Sequence, residues 1–311
     1  MTDYTALALI ADGDPLGENT DVHAIRHNGV TALLLPEKRP LIALPQSRKA
    51  ALQGAARRQA MLEAVMPLGT VLPFRPGQQL TPDDVAPLID ANRSLIDTLQ
   101  QRFAGLVQYQ ITVTWQAEGV LKRFRASPEL APLFAAGHAN ASQIQFAVSR
   151  LAERLSGDMQ DMLAGTVAEC TQLPRVDGMI LNSVVLLPES AEAALDAALA
   201  QIDAIWADGL HIRQVGPAPP ASFATLDPQF VTVGMVAAAL ETLGIAAGAS
   251  ETAIMTARKD ALRRTSAAQE EVNRASEILL AQRRAGTDSF YLCTVLAEDA
   301  GTAATQKRAV A

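Results

Sequence analysis

Cysteine, histidine and aromatic side chains are scarce in this chain of 311 residues. It has two cysteines and four histidines, and Phe, Trp and Tyr together make up 4%. Cys170 and Cys293 stand far apart and belong to no CxxC pair. A disulfide framework or a thiolate zinc cluster is therefore excluded, and both cysteines read as plain core or strand residues in a reducing compartment. No window of about eighteen apolar residues is free of charge, so no membrane span is expected. The start, MTDYTALALI, has an acid and no basic stretch, so no signal peptide is expected either. Basic excess is also missing: 26 Lys and Arg stand against 33 Asp and Glu, a net charge of −7. A nucleic-acid binder would show the opposite balance. What is present is aliphatic, since hydrophobic residues reach 49%. That is enough for two cores built from Ala, Leu, Val and Ile.

The motifs of common chemistries are missing as well. There is no GxGxxG following a strand, no GxxxxGK[ST] phosphate loop and no GxSxG elbow near His138 or His211. His23 and His27 share one face if they lie on a strand, but no third ligand stands nearby and His27 falls in a hairpin turn; they read as surface histidines. Asp12, Asp14, Gly17 and Glu18 resemble a calcium loop, yet Leu16 and His23 occupy positions where that loop needs oxygen ligands. Arg258, Lys259, Arg263 and Arg264 form a basic run interleaved further on with Glu270, Glu271 and Glu277, the pattern of a solvated helix face. The region ALETLGI…ARKDALRR…EVNRASEIL faintly resembles a J-domain but lacks its His-Pro-Asp triplet. No catalytic residue, metal or cofactor is expected.

The order of elements points to an α+β protein. Tyr4–Ala11 reads as a strand, and 22–26 and 30–36 as a hairpin around Asn28-Gly29. Ser47 is placed to cap a helix running to Val65. Thr81, Pro82, Asp83 and Asp84 mark the start of a long helix over 82–103 that Gly105 ends. Val107, Tyr109, Ile111, Val113 and Trp115 alternate with polar residues, as a half-buried strand requires. A small-residue run at 135–142 precedes a helix over 141–170. The strand 178–187, the helix capped by Ser190 and the strand 210–215 form half of a ferredoxin-like fold. The expected domains are an antiparallel-sheet N-terminal domain over 1–126, a ferredoxin-like domain over 140–226, and a mostly helical extension over 227–311 whose tail frays.

Two rigid, nearly uncharged runs stand out from this background: VMPLGTVLPFRPGQQL at 65–80 and RQVGPAPPASF at 213–223. Proline fixes φ and removes a donor, so such runs serve as stiff connectors. Each carries one aromatic, Phe74 or Phe223. Together they resemble the GvpL/GvpF family of gas vesicle proteins, which reads like VLPFRFG after its first long helix and GPWPPYSF near the end of its second half. The resemblance spans about residues 4–226 and includes LNSVVLLPES at 181–190. This chain departs from it at Pro76, Ala218 and Ala221.

The resemblance implies a two-domain α+β accessory or minor structural component of the gas vesicle. Its partners would be the main shell protein and other accessory proteins, and its place the vesicle, even the gas-facing surface, within the cytoplasm. No nucleic acid and no membrane enter. The contact region expected from the runs comprises Leu72, Pro73, Phe74, Arg75, Pro217, Pro219, Pro220 and Phe223. The residues alone equally allow Phe74 and Phe223 to plug the core beneath their loops. A reading from another class is a cytoplasmic small-ligand-binding or regulatory α+β module.

Overall fold

A computed structural model describes residues 4–11, 22–36, 48–136, 140–176, 178–264 and 269–297. The first elements are β1 (Tyr4–Ala11), β2 (His23–His27), β3 (Val30–Pro36), α1 (Arg48–Val65), β4 (Val71–Pro73), α2 (Pro82–Ala91) and α3 (Arg93–Arg102). Then come β5 (Leu106–Trp115), α4 (Ala117–Arg123), α5 (Ala131–Ala135), α6 (Ala141–Ala164), β6 (Glu169–Gln172), β7 (Met179–Pro188), α7 (Glu192–Asp203) and β8 (Leu210–Ala218). The last are α8 (Ala221–Ala224), β9 (Thr225–Val231), α9 (Val233–Leu243), α10 (Glu251–Arg264), α11 (Gln269–Ala285) and β10 (Phe290–Leu296). Every registered strand pair is antiparallel, so the chain mixes helix with antiparallel sheet. It divides into two compact units, Met1–Ala104 with Phe223–Ala297, and Gly105–Ser222. Ser47, the calcium-like loop, His138 and the tail beyond 297 lie outside the described residues.

In the first unit a sheet runs in the order β2-β3-β1-β4. Ala6 to Ile10 of β1 are all buried, as a strand covered on both faces must be, and Leu62 and Val65 of α1 join Leu7, Ile10, Leu33 and Val71 in one cluster. The hairpin forms where Asn-Gly predicts it. Asn28 and Gly29 take φ of 48° and 74°, and His27 pairs with Val30 across a two-residue turn whose twist suits the strands. Asp90 of α2 then pins that turn, receiving hydrogen bonds from the His27 ring and from Asn28 Nδ2, each at 2.8 Å.

The start of α2 also follows its sequence signals. The Thr81 N–H and hydroxyl both donate to Asp84 Oδ2 at 2.7 Å, with Pro82 in the first turn. The expected single helix over 82–103 is instead two helices that meet at Asn92. The side chain of Asn92 explains the break. It is buried, and its amide donates to Leu88 O at 2.7 Å and to Tyr291 O at 2.8 Å, while its oxygen accepts from the Cys293 N–H at 2.7 Å. One side-chain amide thus behaves as the next strand's peptide on β10, which among the described residues otherwise pairs only with β9.

Residues beyond 226 are not an appendage in the structure. β9 and β10 pair with each other, and α9, α10 and α11 cover Val231, Phe290, Leu292 and Ala91 in one apolar cluster. The C-terminal segment therefore completes the core of the unit that the N-terminus begins. Its pairing partners are remote in sequence, which is why local pattern alone leaves it unattached.

The second unit has the sheet order β6-β7-β5-β8. β5 keeps its predicted alternation, with Val107, Tyr109, Ile111 and Val113 buried. It is one of the two inner strands of this sheet, antiparallel to both β7 and β8, whereas the sequence grouped it with the N-terminal strands. Period-two alternation fixes which face of a strand is buried, not which sheet it joins. α6 ends at Ala164, ahead of the 170 expected, and the strand β6 follows it.

Replacing Asn92 by Ala leaves the Cys293 N–H and the Tyr291 carbonyl without this partner. Each unsatisfied buried group costs about 1–3 kcal/mol, so N92A is expected to lose about 2–4 kcal/mol in urea unfolding. A loss below about 0.5 kcal/mol, the level of an ordinary surface change, would contradict this role for the amide.

Candidate functional site

The first proline–glycine run is a strand that bulges. Val71, Leu72 and Pro73 pair with Ile10, Leu9 and Ala8 of β1. The Phe74 N–H then donates to Leu7 O at 3.0 Å; further along, Ala6 N–H donates to Gln78 O at 2.8 Å and Leu80 N–H to Tyr4 O at 3.2 Å. Between these points residues 75–77 turn outward, closed by Gln78 N–H to Arg75 O at 3.2 Å. Gly77 has φ of 83°, a conformation that costs glycine nothing. At the tip the Arg75 N–H donates to Leu226 O at 2.7 Å, and its guanidinium reaches Asp227 Oδ1 at 3.4 Å. Asp227 is buried and also accepts from Gln229 Nε2 at 2.9 Å.

Arg58 of α1 supports the same stretch from the opposite side. Its guanidinium donates to the carbonyls of Ala6 at 3.2 Å, Leu7 at 3.0 Å and Phe74 at 2.5 Å. Burial pulls its pKa below the ordinary arginine value, since the charge is surrounded by protein rather than water. Arg58 thus adds a side-chain donor beside the short strand β4, and Leu7 O accepts from both Arg58 and the Phe74 N–H.

The second run closes the edge of the other unit's sheet. Gly216 has φ of 146°, and a Cβ there would lie 2.7 Å from both Gln108 O and the Tyr109 ring, so only glycine fits. The Gly216–Pro217 peptide is cis. The Ser222 N–H donates to Gln108 Oε1 at 2.9 Å. Beneath lies Tyr109, whose hydroxyl donates to Glu192 Oε1 at 2.9 Å. Burial, aided by that hydrogen bond and by the carboxylates of Glu192, Asp196 and Glu189, pushes its pKa up to about 12.

The contact set predicted from sequence divides by exposure. Leu72, Pro73 and Phe74 are buried, with Phe74 at 1%, and Pro219, Pro220 and Phe223 are buried too. Arg75, Pro76, Gly77 and Pro217 are exposed. The rings of Phe74 and Phe223 thus lie in the interior, and the polar or backbone tips face water. Asn92, Arg58 and Asp227 were not singled out by sequence. An Asn in the middle of a strong amphipathic helix was the available signal for the first; nothing local marks the other two.

The remaining polar candidates have structural partners. His27 is held by Asp90, and the His23 ring lies 5.5 Å from that of Tyr4. Among the described residues no three His, Cys, Asp or Glu side chains are grouped so as to hold a metal ion. Cys293 is buried and burial raises its pKa; Cys170 is exposed on β6.

Two outcomes follow from these environments. Phe74→Ala removes a fully buried ring and is expected to cost about 3–5 kcal/mol in urea unfolding. Arg75→Ala, which removes a largely exposed partner, should cost at most about 1 kcal/mol. Equal losses would contradict the division between core and tip. For Tyr109, the folded pKa lies above the ordinary value of 10, so the folded state holds this proton longer. Its contribution is complete below pH 10 and is lost as pH rises toward 12. Chemical unfolding should weaken over that window, and Tyr109→Phe should flatten the decline; an unchanged slope in the variant would contradict the assignment.

The arrangement of strands and runs has known relatives. The family model described as gas vesicle synthesis protein GvpL/GvpF matches residues 8–225. The crystal structure of the gas vesicle protein GvpF from Microcystis aeruginosa is similar in fold, with a TM-score of 0.56 and 22% identity over 72% of this chain and 100% of that one. GvpF from Anabaena sp. PCC7120 gives a TM-score of 0.56 and 20% identity over 71% of this chain and 97% of its own. No curated protein matches the chain. The family match spans well over half of the sequence and contains both proline–glycine runs: the chain belongs to the GvpL/GvpF family of gas vesicle synthesis proteins.

Proposed function

We propose that this chain is an accessory or minor structural protein of the gas vesicle. It acts in vesicle assembly by binding the main shell protein and other vesicle proteins, not by catalysis. The observation that carries this reading is the family match over 8–225, which includes both runs. The geometry supports it in kind. Each run is locked by backbone and side-chain hydrogen bonds, and its tip stands out of a fixed frame, an arrangement suited to presenting a preformed contact. Arg75 and Pro217 meet the partner directly, and Leu72, Pro73, Phe74, Pro219, Pro220 and Phe223 hold them in shape from within. We place the chain at the gas vesicle within the cytoplasm. No described helix is long and apolar enough to cross a membrane.

We further infer that the two units act as domains and that Gly105–Ser222 is ferredoxin-like. Its order β-α-β-β-α-β, with the sheet arranged β6-β7-β5-β8, supports this.

The test is capture of the main shell protein by the tagged full chain after co-expression. A truncation at 226 is unsuitable, because it would strip most of β9, β10 and three helices from the core that includes Ala91. Wild type is expected to retain the shell protein, and Arg75→Glu to weaken retention about tenfold or more, the range of a contact residue that matters. Failure of wild type to retain it would overturn the reading.

A further inference from the structure

The chain sorts its charges along the sequence. Residues 38–62 carry six Lys or Arg and no Asp or Glu, although the net charge of the whole is −7. Residues 176–212 carry six Asp or Glu and no Lys or Arg. α1 of the first unit begins in the basic stretch, and α7 of the second unit lies in the acidic one.

The first half of α1 has no cover. Every residue from Lys49 to Arg57 is exposed, so no side of this part of the helix is packed away from water. Leu52 is 62% exposed, and a Cβ built on Gly54 would meet nothing within 4 Å. Packing begins beyond it, where Arg58 reaches β1 and Leu62 and Val65 are buried. Helices in proteins gain most of their stability from packing, so a bare one is fit to receive a partner. Lys49, Gln53, Ala56, Arg57 and Ala60 recur at helical spacing as one exposed stripe, turned away from Leu62 and Val65. Lys49 stands near the positive end of the helix dipole, and the first turn has no acid to offset it. A carboxylate brought from outside would relieve that charge.

α7 offers the complementary face. It packs through Leu195, Ala198, Leu199 and Ile202. On its outer side Ala193, Ala197 and Ala200 are exposed at helical spacing. Glu192 and Asp196 run beside them, also exposed, with Glu189 just ahead of the helix. Among the described residues no ion pair reaches Lys49 or any of these three carboxylates. Small residues on both stripes allow two helix axes to come close.

Charge and shape together select the occupant. A second α1 would set like charges against each other, whereas α7 sets carboxylates against cations and alanine against alanine. The acids at 12–21 lie outside the described residues, so α7 is the described helix that joins negative charge to an open face of small residues. We propose that copies of this chain associate through unlike faces, the exposed half of α1 in one copy lying against the outer face of α7 in another. The contact pairs two different patches, and each copy has one of each to offer. Its attraction comes from exposed charges, so it is largest at low salt.

Sedimentation velocity on the full chain tests this. Concentrated wild type is expected to show a mean mass above the monomer's in about 0.02 M salt and to return to monomer in about 0.5 M salt. The charge reversals K49E/R57E and E189K/D196K alter exposed side chains, so circular dichroism and melting temperature should match wild type. Each alone should weaken association about tenfold or more. Mixed in equal amounts, the two variants again set acid against base, and association is expected to return; its return also excludes misfolding as the cause of the loss. A monomeric wild type at low salt, or association that salt leaves unchanged, would overturn the proposal. So would a mixture that stays monomeric while wild type associates. Association lost in K49E/R57E but kept in E189K/D196K would put the acidic partner elsewhere and overturn the role of α7. No shell protein is present in these samples, so the outcome stands apart from the proposed function.

Discussion

Consecutive residues of the first proline–glycine run donate their peptide hydrogens to opposite neighbours. Phe74 donates to Leu7 of the first strand, and Arg75 donates to Leu226, contributed by the segment that returns after the second unit. A strand can serve two neighbours this way because its N–H groups alternate in direction. The first unit depends on that handover. Without it the sheet β2-β3-β1-β4 and the pair β9-β10 would share no backbone link at this point, and Phe74 would lose the position that buries it. Rigidity from Pro73 and Pro76 and the turn at Gly77 keep the two donors aimed apart while the tip stands clear.

The first unit is held at its irregular points by three polar side chains, two of which, Arg58 and Asn92, bond to the backbone and one of which, Asp227, bonds to side chains. Arg58 fills carbonyls along β1 and at Phe74, Asn92 completes the open edge of β10, and Asp227 receives Arg75. Buried polar groups without partners are costly, so an irregular backbone requires such side chains. In the second unit the corresponding device is steric. Gly216 lets the backbone of the second run approach Tyr109 more closely than any other residue could.

Much of the local structure was legible in the sequence. The bounds of β1 and β3, the Asn-Gly turn, the capped start of α2 and the alternation of β5 all follow from short-range chemistry, which a sequence states directly. The GvpL/GvpF resemblance was carried by two runs whose shape depends on proline and glycine, the residues with the narrowest and widest backbone freedom. What could not be read is non-local. Nothing near Val107–Trp115 tells which strands it will meet, and nothing near 227 tells that the chain will return to the first unit. Asn92 looked like one more helical residue, because its partners at Tyr291 and Cys293 are remote. Phe74 and Phe223 were open between contact and core for the same reason, and folding placed both inside.

Amide hydrogen exchange on the full chain, alone and with the main shell protein, tests the central claim most directly. The account predicts that the Phe74 and Arg75 amides are already slow in the free chain, because both are committed to strand partners. It predicts further that shell protein adds protection at the 75–77 tip. Exchange at Phe74 and Arg75 as fast as in an open loop, or added protection confined to other regions, would contradict it.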